Sequence, residues 1–116
     1  MKKIDLFIID PDPTFRTRLA DIVENTNDLS VVFNAAGKQH AEITAQLEEA
    51  SPDVLLMGIN QSDSAEMDIF EEVRKKIPRL PIIILPLHSR EGAKIALKTL
   101  KKGAVEYINK TSSETG

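Results

Sequence analysis

Residues 4–24 read IDLFIIDPDPTFRTRLADIVE. Ile4 to Ile9 is apolar except for Asp5, and Asp10-Pro11 closes the run. A short apolar run bounded by turn residues predicts a buried strand. The period then changes. Phe15, Leu19, Ile22 and Val23 recur at offsets of four, seven and eight, which is one face of a helix. Thr14, following Pro13, is the expected N-cap, so a helix is predicted over Thr14–Glu24. An apolar strand leading straight into an amphipathic helix is the first half of a parallel β–α–β unit.

The rest of the chain repeats that unit. Strands are predicted over Leu29–Asn34, Asp53–Ile59, Pro81–Leu85 and Ala104–Asn109, each rich in aliphatic residues. Helices are predicted over Gln39–Ala50, buried through Ile43 and Leu47, and over Glu66–Ile77, buried through Met67, Phe70, Val73 and Ile77. A further helix, capped by Ser89, runs to Leu100 with Ala93, Ala96, Leu97 and Leu100 inward, and Gly103 stops it. Five strands alternating with four helices predict an α/β fold with a doubly wound parallel sheet. Such sheets place ligands outside the carboxyl ends of their strands, where strand order reverses. Asp10 to Asp12, Gly58 to Asn60, Pro86 to His88 and Asn109-Lys110 are the residues expected there.

Composition narrows the function classes. The 116 residues make one domain. A net charge of −3 gives no global field for nucleic acid or an anionic membrane. The absence of cysteine removes disulfide, thiolate-metal and cysteine-nucleophile chemistry, and fits a reducing, cytoplasmic setting. Apolar runs such as Ile82–Leu85 fall far short of the roughly 18 residues of a membrane span. Asp5 and Asp10 interrupt the apolar stretch after Met1-Lys2-Lys3, which argues against a signal peptide.

Four segments, LFIIDPDPTFR (6–16), SPDVLLMGIN (51–60), RLPIIILP (79–86) and KKGAVEYINK (101–110), resemble a receiver domain of two-component signalling. Residues 89–110 are most similar to receivers fused to chemotaxis methylesterases. The resemblance spans residues 4–110. It implies a flavodoxin-like, CheY-like sheet of order 2-1-3-4-5. It leaves residues 111–116 as a polar tail or the start of a linker, with the family's final helix expected to be missing.

The resemblance also implies phosphoryl transfer onto an aspartate, assisted by Mg²⁺ held by two acidic residues and the acceptor. At those positions this sequence departs from the pattern. The acceptor position is Gly58, which has no carboxylate. The first acidic position is Asp10, a weak metal ligand alone, and the second is Pro11. The Ser/Thr switch position is Pro86, with neither hydroxyl nor N–H. The lysine is kept as Lys110, and Tyr107 stands where the family often has a switching aromatic.

The expectation is a degenerate receiver, or pseudo-receiver, that is not an enzyme, retains no Mg²⁺ and acts by protein–protein contact. One alternative is a phosphoacceptor built on an unusual carboxylate, with Asp12 helping to hold a cation or Asp63 reaching in from its loop. Another is a small-ligand sensor in the space vacated at Gly58. Asp10 is also readable as a cap on the turn after strand one. Lys110 is either solvated or paired with Asp10. His88 is expected to be an exposed loop residue, and Tyr107 to pack under the sheet edge.

Lys94, Lys98, Lys101 and Lys102 form a basic stripe, either a solvated face or a docking surface for a signalling protein or fused effector domain. Glu66, Asp68, Glu71 and Glu72 are an acidic counterpart on the preceding helix. With no final helix, part of one face of strands one, three and five is expected to be bare. It would be covered by a second copy, as a homodimer, or by following chain.

Overall fold

The computed structural model describes residues 2–35 and 40–110. The start of the second helix at Gln39, and the tail over 111–116, lie outside the described residues. The elements run β1 (Ile4–Ile9), α1 (Pro13–Glu24), β2 (Leu29–Ala35), α2 (His40–Ala50) and β3 (Val54–Gly58). They continue with α3 (Ala65–Lys76), β4 (Ile82–Leu85), α4 (Arg90–Lys101) and β5 (Glu106–Tyr107). The strands form one parallel sheet in the order β2-β1-β3-β4-β5. This is the predicted topology, and it puts the order reversal between β1 and β3.

The alternation of side chains along each strand divides the core into two layers. Phe7, Ile9, Leu55, Met57, Ile82 and Ile84 face α2, α3 and α4, which contribute Leu47, Phe70, Val73 and Ile95. Leu6, Ile8, Leu56 and Leu85 face the opposite side, under Val23, Phe15 and Leu19 of α1. All six strand residues of the first layer are fully buried.

Three local expectations need correction. The cap of α1 is Asp12, whose carboxylate accepts from the Thr14 N–H at 3.0 Å. Pro13 then occupies the first helical position, where a missing N–H leaves nothing unsatisfied and the fixed φ already suits the helix. The helix therefore starts one residue before Thr14.

The inward face of α4 is Gly92, Ile95, Ala96 and Thr99, while Ala93 is exposed and Leu97 is 61% exposed. Gly92 explains the rotation. A Cβ built there would come within 2.8 Å of the Leu87 carbonyl carbon, so only glycine allows this close approach. Thr99 is tolerated inside because its hydroxyl bonds the carbonyls of Ile95 and Ala96, at 2.8 and 3.1 Å.

The expected bare face holds for β5 but not for β1 and β3. On the α1 side the strand residues Leu6, Ile8 and Leu56 are buried, so β1 and β3 are covered. The exposure falls on the chain around β5, where Val105 and Ile108 are each more than half exposed. As an edge strand β5 has one neighbour, and among the described residues no helix covers this end, so its side chains meet solvent.

Candidate functional site

The carboxyl ends of β1, β3 and β4 bring Asp10, Gly58 and Pro86 together, and Lys110 joins them from the chain after β5. Asp10 is completely buried. Its N–H donates to the Ala35 carbonyl at 3.0 Å, and its own carbonyl accepts from the Arg16 guanidinium at 2.6 Å. Its Oδ1 accepts from the Asp12 N–H at 2.9 Å, which is the turn cap expected of it. Its Oδ2 lies 2.8 Å from the Lys110 ammonium.

Lys110 is therefore a paired residue rather than a solvated one. Its Nζ also donates to Asn60 Oδ1 at 2.7 Å and sits 4.7 Å from the centre of the Phe15 ring. Its backbone N–H donates to the Pro86 carbonyl at 2.8 Å. The cation is held by a carboxylate, an amide and an aromatic face, which together compensate for its loss of water.

Gly58 lies beneath this pair. A Cβ built on it would fall 2.5 Å from Asp10 Cγ and closer still to Oδ2. The space a side chain would need is already filled by the Asp10 carboxylate.

Asp12 and Asp53 are engaged elsewhere. Asp12 is exposed and caps α1. Asp53 lies at the opposite end of the sheet, where it accepts from the Asp5 N–H at 2.8 Å. Asp63 is exposed in the β3–α3 loop. Among the described residues, no three acidic or histidine side chains are grouped as a cation site requires. Mg²⁺ does not fit this donor set. Pro11 and Gly58 have no carboxylate, and Asp10 has one oxygen on an ammonium and the other on a backbone N–H.

Glu66 belongs to the site, although the sequence suggested only an exposed acidic helix face. It is buried in the first turn of α3. Burial raises its carboxyl above the usual range and the Asp10 charge raises it further, while its own backbone N–H and Lys110 act the other way. The available signal was Ser64, which caps α3 through the Met67 N–H and so sets Glu66 at the sheet edge that carries Gly58 and Asn60.

A pH dependence follows from this position. The folded chain holds the Glu66 proton in a range where the unfolded chain has released it. That contribution to stability is full below the unfolded value of 4.5 and is lost as pH rises through the higher folded value. Glu66→Gln is expected to match the wild type in urea midpoint near about pH 4 and to gain on it towards about pH 7. A constant difference across that range would show that the carboxyl is not displaced.

The remaining candidates lie away from the pocket. Tyr107 is 40% exposed, so it does not pack under the sheet edge. It borders a shallow groove with Ala93 and Leu97, because α4 turns its other face to the core. His88 is exposed, as expected. Lys94, Lys98, Lys101 and Lys102 are all exposed along α4, and Lys102 pairs with Glu71 of α3. That pair and the Glu91–Ser62 contact, 2.7 Å from hydroxyl to carboxylate, join α4 to α3 and to the loop before it.

A five-stranded parallel sheet of this order, with a lysine after β5 reaching the end of β1, is the architecture of signalling receivers. The response regulator receiver domain model matches residues 6–115, and the chain belongs to that family. Among curated proteins it is similar to protein-glutamate methylesterase/protein-glutamine glutaminase of Treponema denticola, 28% identical over 97% of this chain and 30% of that protein. The protein of the same description from Methanococcus maripaludis is 31% identical, again over 97% of this chain and 30% of the relative. The chain thus spans about a third of these relatives. Among solved structures it resembles the response regulator domain of Thermotoga maritima CheB, with a TM-score of 0.77 and 29% identity, covering 94% of this chain and 79% of that one. Among the described residues no helix is long and apolar enough to cross a membrane.

Proposed function

We propose that this receiver works without aspartyl phosphorylation, as an interaction module of a two-component signalling protein. The observation that carries this reading is the Asp10 carboxylate, which fills the space beside Gly58 and pairs with Lys110. Phosphoryl transfer needs a nucleophilic carboxylate and positive charge free to meet the incoming phosphoryl group. Gly58 offers no nucleophile, Pro86 offers no hydroxyl, and the Lys110 charge is already spent on Asp10.

On this reading the domain is not an enzyme, uses no Mg²⁺ and belongs in the cytoplasm. Its output is a fixed surface. The face of α4 bearing Lys94, Lys98 and Lys101, beside exposed Leu97, Tyr107 and Val105, suits an acidic partner with apolar residues. That partner is a signalling protein or an effector domain fused to this one. The similarity to methylesterases in which a matching segment makes up under a third of the protein supports a regulatory module within a longer protein.

Incubation with acetyl phosphate and Mg²⁺, followed by intact mass measurement, tests the reading. The mass is expected to stay unchanged. Gain of one phosphoryl group would overturn it and favour an unusual acceptor carboxylate.

A further inference from the structure

The ion pair in the pocket is connected to α4 by a continuous set of contacts. Lys110 reaches Asp10 after β1 and Asn60 after β3 through its ammonium, and Pro86 after β4 through its backbone N–H. It also forms a parallel bridge with Leu87. The Leu87 carbonyl accepts from the Ser89 N–H at 2.9 Å and occupies the space a side chain on Gly92 would need in the first turn of α4. Ser89 in turn caps that helix, its hydroxyl accepting from the Gly92 N–H at 3.0 Å. One lysine therefore ties three strand ends to the turn that leads into α4.

The donor set rejects a divalent cation, yet the buried carboxylate still has a positive charge on it. We infer that the Asp10–Lys110 ion pair is a permanent internal latch, in which the ammonium neutralises the carboxylate in place of a bound cation and fixes the β4–α4 turn and the start of α4 in one arrangement. The inference rests on the phosphorylation-independent reading above. Its physical basis is the penalty for a buried unpaired charge. A Lys110 deprived of Asp10 gains by turning its ammonium to water, and that movement withdraws the bridge that supports Pro86 and Leu87. The surface offered to a partner by α4 is thus set from the pocket, by residues the partner never touches.

Amide hydrogen exchange on the full 116-residue chain tests the latch. Two variants remove the pair by different means. Asp10→Asn removes the charge with little change of shape, and Gly58→Ala displaces the carboxylate sterically. In both, the amides of Ser89, Gly92 and Lys110 are expected to exchange faster by at least about tenfold more than that of Leu47 in α2, which reports the global loss of stability. If either variant fails to fold, the double variant Asp10→Asn/Lys110→Gln, which leaves no ion unpaired, is measured for the same change. Protection at Ser89 and Gly92 lowered no more than at Leu47 in the folded variants would overturn the latch. That failure is distinct from failure of the reading beneath it, which a phosphoryl gain by the wild type would show whatever the exchange rates.

Discussion

Lys110→Met is expected to lower the unfolding free energy by about 3–5 kcal/mol, the loss typical of a buried ion pair that keeps one partner. Asp10 is wholly buried, and its carboxylate has Lys110 against Oδ2 and a single backbone N–H on Oδ1. Without the ammonium it either keeps an uncompensated charge or takes up a proton. The Asn60 side chain loses its donor in the same step. Urea unfolding at neutral pH measures the loss. The control is Asp10→Leu/Lys110→Met, which removes both charges and is expected to recover most of it, since apolar replacement of a complete buried pair is often neutral. A loss for Lys110→Met below about 1 kcal/mol would place the pair among exposed ones.

Gly58→Ala is the second large effect, with an expected loss of about 3 kcal/mol, the upper end of the usual range for overpacking a buried site. A substitution that elsewhere stabilises slightly by restricting the unfolded chain does the opposite here. The added methyl group cannot share space with the Asp10 carboxylate, 2.5 Å away at Cγ. The neighbour that must move is a buried, paired side chain rather than a flexible surface one, so relief breaks the contact with Lys110. The penalty is coupled to Asp10. In an Asp10→Ala background the same Gly58→Ala change is expected to cost under about 1 kcal/mol, because the clashing oxygen is gone and the pair already broken. Additive losses in a double-mutant cycle would mean that Gly58 and Asp10 are independent.

Much of the fold was legible in order of residues. The apolar run Ile4–Ile9, the helical spacing of Phe15, Leu19 and Val23, and three repetitions of that unit leave few topologies, since parallel crossovers take one hand. The errors fell where two backbones meet. Leu97 has the spacing of a core residue, yet Gly92 against Leu87 rolls α4 so that Thr99 goes inward instead. Tyr107 is an aromatic of the kind that packs, yet it stays 40% exposed beside α4. Periodicity gives the face of a helix only to within about a residue's rotation, and a glycine contact to a loop decides the remainder.

The site divides the same way. Gly58, Pro11 and Pro86 can be named from the linear chain, because losing a carboxylate or a hydroxyl is a property of residue type. What became of the residues left behind is a property of space. Asp10 and Lys110 are a hundred positions apart in the sequence, and their pairing depends on the sheet aligning its strand ends so that the two side chains come within hydrogen-bonding distance. Glu66 looked like a solvated helix acid until α3 carried it under the pocket edge. Sequence by itself determined that the position where a receiver carries its acceptor aspartate is a glycine here. Only the tertiary structure decided that the empty position is filled and the spare charges cancelled, because burial and charge pairing depend on which side chains share a volume, and the order of residues does not specify that.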